Sequence, residues 1–357
     1  MPRRPFSLPW MLALALAGAL PACTPSGFVA RQLARAPNTF PQAVAPEPRV
    51  YYAFPGEFTE RVPLQWATVG EPPVTLAYRV VPPADYGLQV VVTNHASPSG
   101  PRPFYRFLAT VPGDPLPSSS RPRGTVVLLH GYGLSQDSMI PWALRLGSAG
   151  WRCVLVDLRG HGESNGRRIS FGIREAADLR ELLDELKRRD QVSAPIAVLG
   201  VSYGAAVAIR WTLVDGRVAI TIAMTPYGRL GDAVEALRED YASWLPRGII
   251  RRATARLPAL AEAGPDGLDP ADWLFGSGLT PLFIAADGDV VAPTAVVQGL
   301  RELSAPGSAM VELSGASHEE APFRLDALSG PVVQWLESAP RRVGIPHDQL
   351  REEGSGP

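Results

Sequence analysis

The chain has 357 residues, a formal net charge of −1 at pH 7 and 46% hydrophobic content. That length can bury one large α/β core or two smaller ones, and the near-neutral balance without a long basic stripe excludes a nucleic-acid-binding protein. Two cysteines, Cys23 and Cys153, exclude a disulfide scaffold, and without a C-x-x-C or His/Cys cluster no metal is expected.

Taken in chain order, Arg3 and Arg4 precede a short apolar run, Trp10 to Leu20. The run is too short to span a bilayer, so residues 1–22 read as a signal peptide. It ends in Leu20-Pro21-Ala22-Cys23, which resembles the lipobox of bacterial lipoproteins, although Pro21 departs from the usual small or β-branched residue. The resemblance implies cleavage after Ala22, a lipid anchor at Cys23 and a membrane-bound place in the cell envelope. Thr24, where inner-membrane lipoproteins resemble one another in carrying aspartate, implies the outer membrane. Arg3-Arg4-Pro5-Phe6 partly resembles a twin-arginine signal, so two export routes stay open. An ordinary secretory signal with an incidental cysteine is the alternative.

Residues 23–73 are rich in Pro, Ala and Arg and read as an extended tether followed by a flank segment. Val74–Val81 and Leu88–His95 are expected to pair as a hairpin around Pro82–Gly87, with Phe104–Val111 as a further strand. From Thr125 strands and helices alternate: strands at 125–130, 152–157, 195–200, 217–225, 280–286 and 308–313, and helices at 138–150, 171–189, 203–215, 294–304 and 321–338. Alternation of this kind predicts a mostly parallel sheet covered on both faces. Cys153 falls inside a strand and reads as an inert core thiol. Pro226–Gly278 is far too long for a connecting loop. Leu230, Val234, Leu237, Tyr241 and Leu245 recur there at helical spacing, so a short helical cap over the carboxyl edge is expected, with 226–279 as its bounds. Residues 339–357 are a polar tail.

Gly200-Val201-Ser202-Tyr203-Gly204 joins an apolar strand to a helix of small residues. A serine on so sharp a turn projects its hydroxyl beyond the sheet, and side chains at Gly200 or Gly204 would collide with neighbouring backbone. The chemistry expected is nucleophilic catalysis by serine. Gly162-Glu163-Ser164-Asn165-Gly166 has the same spacing, but a polar loop follows it instead of a helix.

Serine needs a base, and the base an orienting acid. His318 is the histidine that lies downstream of Ser202 on a loop following a strand. Asp289, in Asp289-Val290-Val291-Ala292-Pro293, resembles the D-x-V-x-P turn that carries the acid in many hydrolases; Asp287 is the competitor, readable as a turn former. The oxyanion of the tetrahedral intermediate would be bound by the backbone N–H groups of Tyr132 and Tyr203, with His130, Gly131 and Gly133 shaping the first loop.

His130-Gly131-Tyr132-Gly133, Asp157-Leu158-Arg159-Gly160-His161-Gly162-Glu163-Ser164 and Gly200–Gly204 together resemble the α/β-hydrolase superfamily. Within it they are similar to the serine-aminopeptidase-like group, which includes monoacylglycerol-lipase-like and lysophospholipase-like esterases. The resemblance covers residues 74–338. It implies the α/β-hydrolase fold, the triad Ser202–Asp289–His318, no cofactor, a small-molecule ester substrate, and a bracing role for Asp157, Arg159 and His161. The cap is shorter and richer in arginine than in lipid-acting members, which argues against a long-chain lipid substrate. The expected activity is carboxylic-ester hydrolysis through an acyl-enzyme; amide or peptide hydrolysis and a silent envelope binding protein are the alternatives.

Overall fold

The computed structural model describes residues 24–39, 51–53, 56–96, 100–112, 121–264 and 267–338. The expected signal peptide (1–22), Cys23 and the expected polar tail (339–357) lie outside the described residues. An eight-stranded sheet organises the rest, in the order β11-β10-β9-β8-β6-β7-β3-β2. Its strands are β2 (Gln65–Val69), β3 (Val74–Val81), β6 (Thr125–Leu129), β7 (Arg152–Val156), β8 (Ile196–Val201), β9 (Val218–Met224), β10 (Leu282–Ala286) and β11 (Ala309–Leu313). From β11 to β7 neighbours run parallel, and β3 is antiparallel to both β7 and β2.

The central strands are continuous apolar runs because helices cover both faces. Every residue of β6 and β8 is buried. One face packs against helices α4 (Ile173–Arg188), α5 (Tyr203–Val214) and α10 (Thr294–Leu303) through Leu179, Leu183, Ile209 and Leu300. The other packs against α3 (Ile140–Ser148) and α11 (Leu325–Ser338) through Trp142, Leu146, Leu328 and Val332. In α4, Ala176, Leu179, Leu182, Leu183 and Leu186 are buried at three- and four-residue spacing. Its first turn is capped by Glu175, whose carboxylate accepts the backbone N–H groups of Ser170 (2.7 Å) and Gly172 (2.9 Å).

Two expectations are corrected. Val74–Val81 does not form a hairpin with Leu88–His95. β3 belongs to the large sheet, whereas β4 (Gly87–His95) pairs with β5 (Arg102–Thr110) and β1 (Tyr51–Ala53) in a separate three-stranded sheet. Pro82 and Pro83 cannot donate to a ladder. Buried Tyr86 then turns the chain away, donating its phenol O–H to the Pro82 carbonyl (2.9 Å) and its backbone N–H to the Ser148 hydroxyl oxygen (3.1 Å).

The 23–73 segment is not an extended tether throughout. Pro25–Leu33 is a helix, α1, and β2 is an edge strand of the large sheet, so the folded unit begins before residue 74. Proline at the first helical position lacks only a donor that has no intrahelical partner anyway. Thr24 caps the helix by accepting the Gly27 N–H (3.2 Å). A short helix, α2 (Gly56–Arg61), precedes β2.

Between β9 and β10 lie four cap helices, α6 (Leu230–Tyr241), α7 (Arg247–Thr254), α8 (Leu257–Leu260) and α9 (Pro270–Leu274). Leu230 and Leu245 of the expected apolar stripe are buried, Val234 and Leu237 half-buried, and Tyr241 exposed. Arg238 is buried among them. It donates to the carbonyls of Ser243 (3.0 Å) and Leu245 (3.2 Å) and pairs with Glu235 and Glu239. Among the described residues no helix is long and apolar enough to cross a membrane.

Candidate active site

The sheet's strand order reverses beside β6, and the loops after β6 and β8 meet above that point, where a parallel sheet opens a crevice at its carboxyl edge. Ser202 occupies the turn between β8 and α5 with φ +52° and ψ −111°, a left-handed conformation rare outside glycine. Its N–H donates to the Met224 carbonyl (2.8 Å), and its carbonyl accepts the N–H groups of Ala205 and Ala206. The flanking glycines are obligatory. A β-carbon at Gly200 would lie 2.1 Å from the Gly204 carbonyl oxygen, and one at Gly204 would lie 2.5 Å from those of Leu129 and His130. The turn can close only with bare backbone on both sides of the serine.

Three distant loops converge there. His318 Nε2 is 2.8 Å from Ser202 Oγ, and its Nδ1 is 2.6 Å from Asp289 Oδ2. Asp289 is fully buried and its other oxygen accepts the N–H groups of Val291 (2.8 Å) and Ala292 (2.7 Å), which fix the carboxylate's direction. Asp287 is exposed and faces elsewhere: its carboxylate accepts the Gly315 N–H (2.8 Å). In the tautomer that carries its proton on Nδ1 and donates it to Asp289, Nε2 accepts the Ser202 hydroxyl. Cys153 is a buried free thiol in β7.

The His130–Gly133 loop stands over the serine. A β-carbon on Gly131 would come within 3.9 Å of Ser202 Cβ, and Gly133 adopts φ +72°. Tyr203 opens α5, where a first-turn N–H has no intrahelical partner. The rings of Tyr132 and Tyr203 meet edge to face at 6.2 Å. His130 is fully buried and does not reach Ser202: its Nδ1 is 2.8 Å from the Gly131 carbonyl, and its Nε2 accepts the Leu158 N–H at 3.1 Å. Burial depresses it to about 4, so the ring is neutral at pH 7. His161 packs against it with centroids 4.9 Å apart and the rings tilted by 55°, and is depressed to about 3, by burial first and by His130 second.

Below the site the Asp157–Ser164 loop is tied down. Ser164 is buried, donating to the Asp157 carbonyl (2.6 Å) and accepting the Ala77 N–H (2.8 Å), so the second G-x-S-x-G serine holds a loop against β3. Arg159 and Asp178 form a buried bidentate pair, both contacts 2.6 Å. Asp157 accepts the side-chain N–H of Gln136 (2.9 Å), and these partners, Gln136, Glu175 and Asp178, carry no motif in the sequence. The signal for Asp178 was available: it lies on the apolar stripe of α4 between Ala176 and Leu179, where a carboxylate requires a cation. Among the described residues no three His, Cys, Asp or Glu side chains are grouped to hold a metal ion.

Residues 120–265 match the family described as serine aminopeptidase, S33. A monoacylglycerol lipase of Mycolicibacterium smegmatis is 36% identical over 89 residues, 23% of this chain and 30% of that protein. An uncharacterised protein of Bacillus subtilis, YqkD, is 28% identical over 85 residues, 24% of this chain and 28% of its own. The chain thus matches less than a third of the length of these curated relatives. Among solved structures, the Pyrococcus furiosus esterase Pf2001 superposes with a TM-score of 0.56 at 18% identity, covering 83% of this chain and 98% of that one. The esterase Est1E of Butyrivibrio proteoclasticus, solved with ferulic acid, gives 0.51 at 14% identity, covering 76% and 98%. The fold is that of the α/β-hydrolases. The matched family segment contains the Ser202 turn, while Asp289 and His318 lie beyond it on the loops after β10 and β11.

Proposed function

We propose that the protein is a serine hydrolase that cleaves carboxylic esters through an acyl-enzyme and is anchored in the cell envelope by a lipid on Cys23. The single observation that carries the chemistry is the continuous hydrogen-bonded line from Ser202 Oγ through His318 to Asp289 on a strained turn. In this reading Ser202 Oγ attacks the carbonyl carbon and His318 Nε2 takes its proton. Asp289 stabilises the resulting imidazolium, and the N–H groups of Tyr132 and Tyr203 bind the oxyanion. Collapse expels the alcohol, which takes the proton from His318; water then repeats the sequence on the acyl-enzyme. Each oxyanion donor contributes about 3–4 kcal/mol to lowering the barrier.

The ester reading draws support from the esterases that share the fold and from the short segment shared with a monoacylglycerol lipase. The family description, serine aminopeptidase, favours a second reading, hydrolysis of an aminoacyl amide by the same residues. Envelope anchoring rests on the lipobox-like Leu20–Cys23 alone.

A fluorophosphonate probe tests the core of the proposal. Wild type is expected to label on Ser202 and Ser202→Ala not at all. A p-nitrophenyl ester series run against aminoacyl anilides then separates esterase from peptidase. Absence of labelling in folded wild type would reduce the protein to a silent binder.

A further inference from the structure

Helix α1 lies on the cap. It packs against α7, and Thr24, the residue after Cys23, accepts a hydrogen bond from Arg256 Nη1 (3.0 Å). A β-carbon on Gly27 would lie 2.7 Å from Arg256 Nη1 and 3.8 Å from Arg31 Nη1, so two guanidinium groups converge over that glycine. Arg251 and Arg252 are exposed on α7, whose other side buries Ile250 and Ala253. Arg247, at the start of α7, is neutralised by Glu235 and Glu239. Glu262, past α8, is taken by Arg174. Among the described residues Arg251, Arg252 and Arg256 have no ion-pair partner. Trp244, in the turn between α6 and α7, is 57% exposed.

A protein with a net charge of −1 has thus gathered uncompensated arginines on one face, at the point where residues 1–23 join the fold. Clustered guanidinium groups repel one another in water and are stabilised against a dense array of phosphates, while an exposed indole suits the boundary between headgroups and acyl chains. Helix α6 packs beside α7, and its last residue, Tyr241, reaches Glu319 (3.5 Å), next to His318. Helix α6 thus links α7 to the loop that carries His318.

We infer that the α1–α7 face, through Arg251, Arg252, Arg256 and Trp244, docks on an anionic phospholipid surface and turns the cap toward the bilayer. The inference rests on the envelope reading for the anchor at Cys23, whereas its charge dependence belongs to α7. The face would hold the protein in one orientation about its anchor.

Vesicle sedimentation of the full chain tests it, with phosphatidylcholine vesicles compared with vesicles containing 30% phosphatidylglycerol (about this fraction keeps the surface well negative). The Cys23→Ser protein is expected to prefer the anionic vesicles and to lose that preference in high salt. R251Q/R252Q in the same background should weaken anionic binding about thirtyfold, since each arginine near such a surface contributes about a factor of five. Hydrolysis of a water-soluble ester should be unchanged, which confirms folding. Equal binding to both vesicles, untouched by the double substitution, overturns the inference. So does arginine-dependent retention on heparin or RNA without vesicle binding, which would assign the face to another polyanion. Mass spectrometry of the mature N-terminus separates the two claims: an unmodified Cys23 beside arginine-dependent vesicle binding removes the anchor and leaves the docking face standing.

Discussion

The carboxylate of Asp157 accepts both N–H groups of Gln136, the backbone one at 2.6 Å and the side-chain one at 2.9 Å. It also takes the Glu163 N–H at 3.0 Å, so one buried side chain at the end of β7 fastens the loop that follows β6. That loop carries Tyr132 over Ser202. Asp157→Ala leaves three donors without their acceptor, at about 1–3 kcal/mol for each that stays dry. On the proposed mechanism, in which the Tyr132 N–H binds the oxyanion, the expected result is a lower melting temperature together with a lower kcat, while KM changes little. Asp157→Asn keeps one acceptor oxygen and should recover part of both. Steady-state kinetics beside thermal melts check this; a folded Asp157→Ala protein with unchanged kcat would separate Asp157 from the chemistry.

The two aspartates after β10 make opposite predictions. On the proposed mechanism Asp289→Asn would leave His318 in the wrong tautomer for accepting the Ser202 proton, and kcat is expected to fall by about four orders of magnitude. Asp287→Asn removes an exposed contact to the Gly315 N–H and should stay within a few fold of wild type. Measuring both variants on one p-nitrophenyl ester decides the matter, and a reversed ranking would transfer the acid's role to Asp287.

The alternation from Thr125 onward was legible because strands buried on both faces read as unbroken apolar runs, and because a helix such as α4 repeats its leucines on one side. The Ser202 turn was legible for a different reason: only glycine fits at Gly200 and Gly204, so geometry is written in residue identity. Partner choice was not legible. β3 and β4 are each strand-like, and nothing local states that one is buried in the large sheet and the other paired with β5. Helix α1 was not legible because abundant proline reads as extended chain, whereas proline at the first turn is compatible with a helix. The Arg159–Asp178 pair and the grip of Asp157 on Gln136 span 19 and 21 residues and join separate elements, so they exist only once the sheet has formed.

Ser164 offers a control that Ser202 cannot. Its hydroxyl bridges the Asp157 carbonyl and the Ala77 N–H inside the protein. Ser164→Ala should therefore cost about 1–3 kcal/mol of stability through the stranded amide and leave fluorophosphonate labelling at its wild-type extent. Chemical denaturation and gel fluorescence on one preparation suffice. Loss of labelling in a protein that still melts cooperatively would return Ser164 to contention as the nucleophile.

His130 and His161 make the fold sensitive to acid. In the folded protein they are held to about 4 and about 3, with burial the leading cause in both. The unfolded chain binds their protons near pH 6.5. Between those values the unfolded state carries the extra protons, so stability is complete above about pH 6.5 and is lost as the pH falls. His130 alone would account for about 3 kcal/mol by pH 4. Burial raises Asp157, which acts in the opposite sense, so the informative quantity is the difference between wild type and His161→Phe, in which the carboxylates are common to both. Urea midpoints taken at intervals from pH 7.5 to pH 4.5 should fall more steeply in wild type than in the variant, whose ring still packs against Tyr203 without titrating. Parallel curves would mean that His161 already carries its proton in the folded state, and that its buried Nε2 has an acceptor the described contacts lack.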